Sequence, residues 1–146
     1  MKETTNNLPR KKKPIILIVD DVAGNIQVLG TLLKKTDCKL AVATNGQQAL
    51  NTVAHIQPDL ILLDIMMPGM DGFEVCRKLK AGEETKNIPV IFLSAKNETE
   101  DIIKGFELGA VDYITKPIIG IELLTRVKTH LALGEMKKRF EESISK

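Results

Sequence analysis

Carboxylates, a hydroxyl and an ammonium group follow, one after another, the short apolar runs of this sequence. Asp20 and Asp21 come after Ile15–Val19, Asp64 after Leu60–Leu63, Ser94 after Val90–Leu93, and Lys116 just after Val111–Ile114. Taken singly, each has an ordinary explanation: an Asp after a strand is a turn former or helix cap, and Lys116 or Ser94 is a surface or loop residue. Taken together they are hard to explain as stabilising features, because three carboxylates gathered at one edge repel one another. A hard divalent cation relieves that repulsion, and oxygen-only ligands favour Mg²⁺ (or Mn²⁺) over zinc. Such a site suits phosphoryl transfer, in which one carboxylate is the nucleophile and the surrounding charges take the phosphoryl oxygens. Asp64 is the candidate nucleophile because it stands alone after a central run. Asp20 and Asp21 are candidate metal ligands, Lys116 the counter-charge, Ser94 a hydrogen-bond donor, and the backbone N–H of Ala95 a further donor.

For these residues to meet, the apolar runs must be strands that end at one edge. Five runs, Ile15–Val19, Leu40–Ala43, Leu60–Leu63, Val90–Leu93 and Val111–Ile114, recur about every two dozen residues with helical patterns between them. That alternation predicts βαβ units and an α/β fold with a parallel sheet, in which ligands bind beyond the carboxyl ends of the strands. The first, third and fourth runs are almost wholly apolar, as in strands covered on both faces, so the weaker second and fifth belong nearer the edges. Helical stripes are formed by Val22, Ile26, Leu29 and Leu32/Leu33, by Ala49, Leu50, Val53 and Ala54, by Phe73, Cys76 and Leu79, and by Ile102, Ile103 and Phe106. Asn45 with Gln48, Asp71 with Glu74, and Asn97 with Glu100 have capping-box spacing. A fifth helix is expected from Ile119 through Leu133 on a stripe of Ile121, Leu124, Val127 and Leu131. A displaced stripe, Leu133, Met136, Phe140 and Ile144, predicts an arm beyond Gly134, frayed or paired with another chain.

The 146 residues suit one domain, and neither their composition nor their two cysteines suggest a disulfide framework or a metal box. The formal charge is +2, yet residues 14–133 carry 12 Lys/Arg against 15 Asp/Glu, a balance of −3. The basic pI therefore belongs to the ends, and direct nucleic-acid binding is not expected. No apolar run approaches the roughly 20 residues of a membrane span, and no signal-peptide pattern opens the chain, so a cytoplasmic protein without membrane contact is expected. The expected organisation is a basic flexible segment over 1–13, a domain over 14–133, and a helical arm or linker over 134–146. His55 is read as a surface residue near a helix end, His130 as solvent-facing, and Cys38 and Cys76 as small core or near-surface residues.

The segments IILIVDD (15–21), LILLDIMMPGMDGFEV (60–75), PVIFLSA (89–95) and GAVDYITKP (109–117) closely resemble the receiver domain of two-component response regulators. The resemblance implies a flavodoxin-like (βα)5 sheet of order 2-1-3-4-5. It implies that Asp64 accepts a phosphoryl group from the phosphohistidine of a histidine kinase or histidine phosphotransfer protein. Asp21, Asp64 and the Met66 backbone carbonyl would hold Mg²⁺, with Asp20 acting partly through water. It also implies a cis Lys116–Pro117 peptide and a switch in which Ser94 moves towards the phosphoryl group and Tyr113 rotates inward. That switch reshapes the face made by the fourth helix, the fifth strand and the fifth helix, through which, or through the arm, the chain could form a homodimer. In this family the residue after Lys-Pro is often Phe but is Ile118 here, a change expected to affect packing and not chemistry.

Other functions fit less well. A flavodoxin-like cofactor binder needs a Ser/Thr/Gly-rich phosphate loop after the first strand, where Asp20 and Asp21 would repel a flavin phosphate. A haloacid-dehalogenase-type phosphatase needs a second Asp two residues beyond its nucleophile, and that position is Met66. A non-phosphorylated scaffold of the same fold is disfavoured because every marker is present.

Overall fold

The computed structural model describes residues 12–145, so most of the basic segment expected over 1–13 lies outside the described residues. Five parallel strands, β1 (Ile15–Val19), β2 (Lys39–Ala43), β3 (Leu60–Asp64), β4 (Val90–Ser94) and β5 (Asp112–Thr115), pair in the order 2-1-3-4-5. Five helices connect and extend them: α1 (Ala23–Leu33), α2 (Gly46–Ile56), α3 (Gly72–Ala81), α4 (Thr99–Glu107) and α5 (Gly120–Ser145). The two weaker apolar runs are the edge strands β2 and β5. β5 is shifted one residue from the expected run, leaving Val111 exposed and bringing Asp112 into register with Ile91.

Alternate residues of the central strands feed two cores, as the period of two requires. Leu17, Val19, Ile61, Leu63, Val90 and Phe92 face α2, α3 and α4, where Val53, Phe73, Cys76 and Tyr113 close the packing. Ile16, Ile18, Leu60, Leu62, Ile91 and Leu93 face α1 and α5, against Leu29, Leu33, Leu123 and Val127. With both faces covered, all five residues of β3 and of β4 are buried, and burying an aliphatic side chain of this size contributes roughly 1.5–3 kcal/mol.

Two of the three expected caps form: Asn45 Oδ1 accepts from Gln48 N–H at 2.8 Å and Asp71 Oδ1 from Glu74 N–H at 2.9 Å. The third does not, because α4 starts one residue later than Asn97 requires; Glu98 takes the cap position without a side-chain bond. The expected stripes need correction where helices meet solvent. Val22, Ile103, Phe106 and Ile121 are all exposed, and α5 is anchored by Leu123 and Val127 instead of Ile121. Val22 is the cap residue before α1, outside the helix itself, and the face of α5 that reaches the core is the one carrying Leu123 and Val127. α5 runs unbroken through Gly134 to Ser145, so the expected arm is a helical continuation and the 133/134 boundary falls within one helix.

Candidate functional site

Register brings the sequence-predicted residues together. Val19 at the end of β1 is level with Leu63, so Asp20 lies beside Asp64; Asp64 is level with Leu93, so Ser94 lies one step beyond it. Lys116 N–H donates to the Ser94 carbonyl at 2.8 Å, fixing the residue after β5 against the end of β4. The Lys116–Pro117 peptide is cis.

Asp20, Asp21 and Asp64 bring carboxylate oxygens within 4.8 Å of one another. Asp20 and Asp64 are buried while Asp21 is exposed. Lys116 Nζ stands 3.6 Å from Asp20 Oδ2 and 3.8 Å from Asp64 Oδ1. Burial pushes the Asp64 carboxyl above the ordinary carboxylate range; Lys116 opposes this, Asp20 adds to it, and the backbone N–H groups of Met66 and Ile65 pull it back. Among the described residues, three carboxylates gather beside the Lys116 ammonium, an all-oxygen donor set that fits a hard divalent cation.

The site also contains residues that spacing did not single out. Asn25 Nδ2 donates to Asp20 at 3.1 Å (Oδ2) and 3.4 Å (Oδ1), and Val22 N–H donates to Oδ1 at 2.9 Å. These bonds fix the Asp20 carboxylate at the entrance to α1. An Asn among the apolar residues opening that helix was the available signal. Gly72 is required by close approach: a Cβ there would lie 2.2 Å from the Asp64 carbonyl oxygen and 2.7 Å from the Ile65 Cα. Its N–H donates to the Ile65 carbonyl at 2.9 Å, holding the start of α3 against the loop after β3.

Ser94 is fully buried, and its Oγ accepts from Lys96 N–H at 3.1 Å. Tyr113 is turned inward, only 9% exposed, with its hydroxyl donating to the Lys96 carbonyl at 2.6 Å. Burial pushes its phenol up, opposed by the Ser94 hydroxyl. Gly105 makes room for this ring, since a Cβ there would meet Phe92 and Tyr113 at 3.0 Å. Met67 is buried, whereas the Met66 side chain projects into solvent, 56% exposed. Ala95 is exposed in the loop directly after β4.

A second polar cluster lies away from this edge. Asp112, buried at the start of β5, accepts from Arg126 Nη1 at 2.9 Å on both oxygens and lies 3.0 Å from His130 Nε2. His130 is therefore not solvent-facing as expected; its side chain is 15% exposed and turned towards Asp112. Burial pushes the Asp112 carboxyl up, but the bonds from Arg126, His130 and Tyr113 N–H outweigh it and hold it below the ordinary range. The i, i+4 spacing of Arg126 and His130 opposite the single charge of β5 was the available signal. His55 is exposed, with Nδ1 2.8 Å from the Asn51 carbonyl, and Cys76 is buried while Cys38 is partly so, as expected.

Residues 16–128 match the response regulator receiver domain family. The chain is 43% identical over 128 residues to the response regulator PleD of Caulobacter vibrioides, covering 85% of this chain and 28% of PleD. It is 44% identical over 116 residues to the DNA-binding response regulator MtrA of Mycobacterium leprae, covering 80% of this chain and 50% of MtrA. It thus spans a half or less of these relatives. Among solved structures, the receiver domain of the Francisella response regulator 1452 superimposes with a TM-score of 0.76 at 34% identity, covering 82% of this chain and 98% of that one.

Proposed function

The chain belongs to the response regulator receiver family, and from that premise we propose that it is a switch controlled by phosphorylation of Asp64. The observation that carries this reading is a buried carboxylate at the end of β3, crowded by two others and 3.8 Å from the Lys116 ammonium. The donor is a phosphohistidine on a sensor histidine kinase or a histidine phosphotransfer protein. An Asp64 carboxylate oxygen forms the new P–O bond as the P–N bond to the imidazole breaks, and that bond's electron pair leaves on the ring nitrogen. Asp21, Asp64 and the Met66 backbone carbonyl would hold Mg²⁺ (or Mn²⁺), with Asp20 acting partly through water. When bound, the ion supplies positive charge to the phosphoryl oxygens. Asn25 keeps Asp20 oriented for that role. Lys116, tethered to β4 through its backbone, is the counter-charge that remains with the product acyl phosphate. Ser94 and the Ala95 N–H donate to the phosphoryl oxygens.

Donation by Ser94 would realign the hydroxyl that now accepts from Lys96 N–H, and Tyr113, bonded to the same residue's carbonyl, senses the change. The α4-β5-α5 face is then biased towards one of its arrangements, by no more than the difference in phosphoryl binding between them. The protein is a phosphoacceptor that assists its own phosphorylation and dephosphorylation, not a turnover enzyme. The acidic balance of residues 14–133 argues against nucleic-acid binding by this domain, and among the described residues no helix is long and apolar enough to cross a membrane. A cytoplasmic site of action follows from the phosphodonor.

The test is intact-mass measurement after incubation with a small phosphodonor and Mg²⁺. Wild type should gain one phosphoryl group and Asp64→Asn none; equal gains in both would overturn the assignment.

A further inference from the structure

At the end of the sheet opposite the acidic edge, the arm of α5 and the segments leading into β1, β3 and β4 border a groove of about 760 Å³. A volume of this size is typical of cavities that hold a small ligand. Ile15, Pro58, Ile88, Pro89 and Leu131 give it an apolar lining. The charges around it are unevenly matched. Lys138 Nζ meets Asp59 at 3.2 Å, Lys13 Nζ meets Asp37 at 3.2 Å, and Arg139 Nε meets Glu135 at 3.4 Å. Glu84 and Glu141, which also line the groove, make no ion pair among the described residues. Lys12 and Lys13 line it as well, so residues 1–11 lead directly into the groove.

We infer that the groove is a docking site for residues 8–11 of this same chain, with Leu8 and Pro9 against the apolar lining and Arg10 and Lys11 at Glu84 and Glu141. Four residues of extended chain span at most about 13–14 Å, so Leu8 stays within reach of a groove that Lys12 already lines. The residue before a proline favours extended backbone, which suits both Leu8, before Pro9, and Lys13, before Pro14, to a chain laid along a groove. Leu8 is the one aliphatic side chain, proline apart, between Met1 and Pro14. Its burial supplies most of the attraction, because exposed ion pairs contribute little; the two cations fix the position of the segment. Docked there, the segment touches the arm and the edge of the sheet at once. It therefore holds the arm of α5 against the domain just past residue 128, where the family match ends. The docking does not require phosphorylation of Asp64 and stands or falls separately from it.

Carbodiimide coupling of carboxylates to amines in the full chain, at low micromolar concentration and read by peptide mass spectrometry, tests the inference. A link from Lys11 to Glu84 or Glu141 is expected within the monomer, and Leu8→Asp should lose it. Hydrogen exchange gives a second readout. Amides of residues 134–145 should exchange about fivefold faster in Leu8→Asp and in Arg10→Glu/Lys11→Glu, the factor that about 1 kcal/mol of docking energy produces, with β3 unchanged. Adding Glu84→Lys and Glu141→Lys to the double variant should restore the protection. Coupling found only between two copies, no link from Lys11 to either glutamate, or arm exchange unchanged in both variants would overturn it.

Discussion

Asp64 and Asp112 are buried aspartates of the same sheet, and their surroundings drive them in opposite directions. Asp112 at the start of β5 is met by a guanidinium bonding both oxygens at 2.9 Å, an imidazole nitrogen at 3.0 Å and a backbone N–H. Its charge is matched, and its carboxyl is held below the ordinary range despite burial. Asp64 at the end of β3 has one ammonium at 3.8 Å and two further carboxylates nearby, and its carboxyl is pushed up. The difference teaches that burial alone does not mark a reactive carboxylate. One whose hydrogen bonds are completed by the fold is structural; one left short of positive charge is open to a cation and a phosphoryl group.

Exchanging each carboxylate for its amide tests this contrast most strongly. Asp64→Asn should lose phosphoryl incorporation entirely. Urea unfolding without divalent ions should show it unchanged or more stable by about 1 kcal/mol, because a disfavoured charge is removed. Asp112→Asn should keep incorporation but lose about 1–3 kcal/mol, since charged hydrogen bonds from Arg126 and His130 are broken; Arg126, partly exposed, regains water and limits the loss. Lys116→Ala should slow phosphorylation from a small donor by about 10²-fold with little change in the unfolding midpoint, a split read from the same two assays.

Acid sharpens the comparison further. A carboxyl held low in the folded state contributes stability that is present above the ordinary carboxylate pKa and is lost as pH falls through that range to the folded value. The stability gap between wild type and Asp112→Asn should therefore be full near neutrality and close on acidification, which a series of urea titrations measures. A smaller effect is expected at Tyr113→Phe, which removes the hydroxyl bond to the Lys96 carbonyl: a loss of about 0.5–1.5 kcal/mol, with incorporation at Asp64 retained. Met66, two residues beyond Asp64 and exposed, has no group to orient an attacking water. The phosphorylated protein should consequently persist well beyond seconds in a dephosphorylation time course, and a half-life of seconds would count against this.

The sheet and most of the acidic edge were legible because both depend on short-range rules. Strands buried on both faces are continuous apolar runs, and a parallel sheet puts every strand end on one side, so Asp20, Asp64, Ser94 and Lys116 could be aligned by counting. What was not legible depends on three-dimensional neighbours. Asn25 reaches Asp20 only through the turn into α1, and Gly72 matters only because the start of α3 lies against the Asp64 carbonyl. His130 looked solvent-facing by helical spacing because its partner, Asp112, is eighteen residues away across a loop. Ile121 fitted a stripe by period but is 77% exposed, because the packed face of α5 is centred on Leu123 and Val127.

The central claim is that Asp64 alone among the aspartates carries the phosphoryl group. Borohydride reduces an acyl phosphate but not a free carboxylate, so phosphodonor treatment, reduction and peptide mass spectrometry would mark the acceptor as homoserine. Homoserine at position 64, with Asp20, Asp21 and Asp112 intact, is the predicted result; the mark at any of those three, or at none, would contradict it.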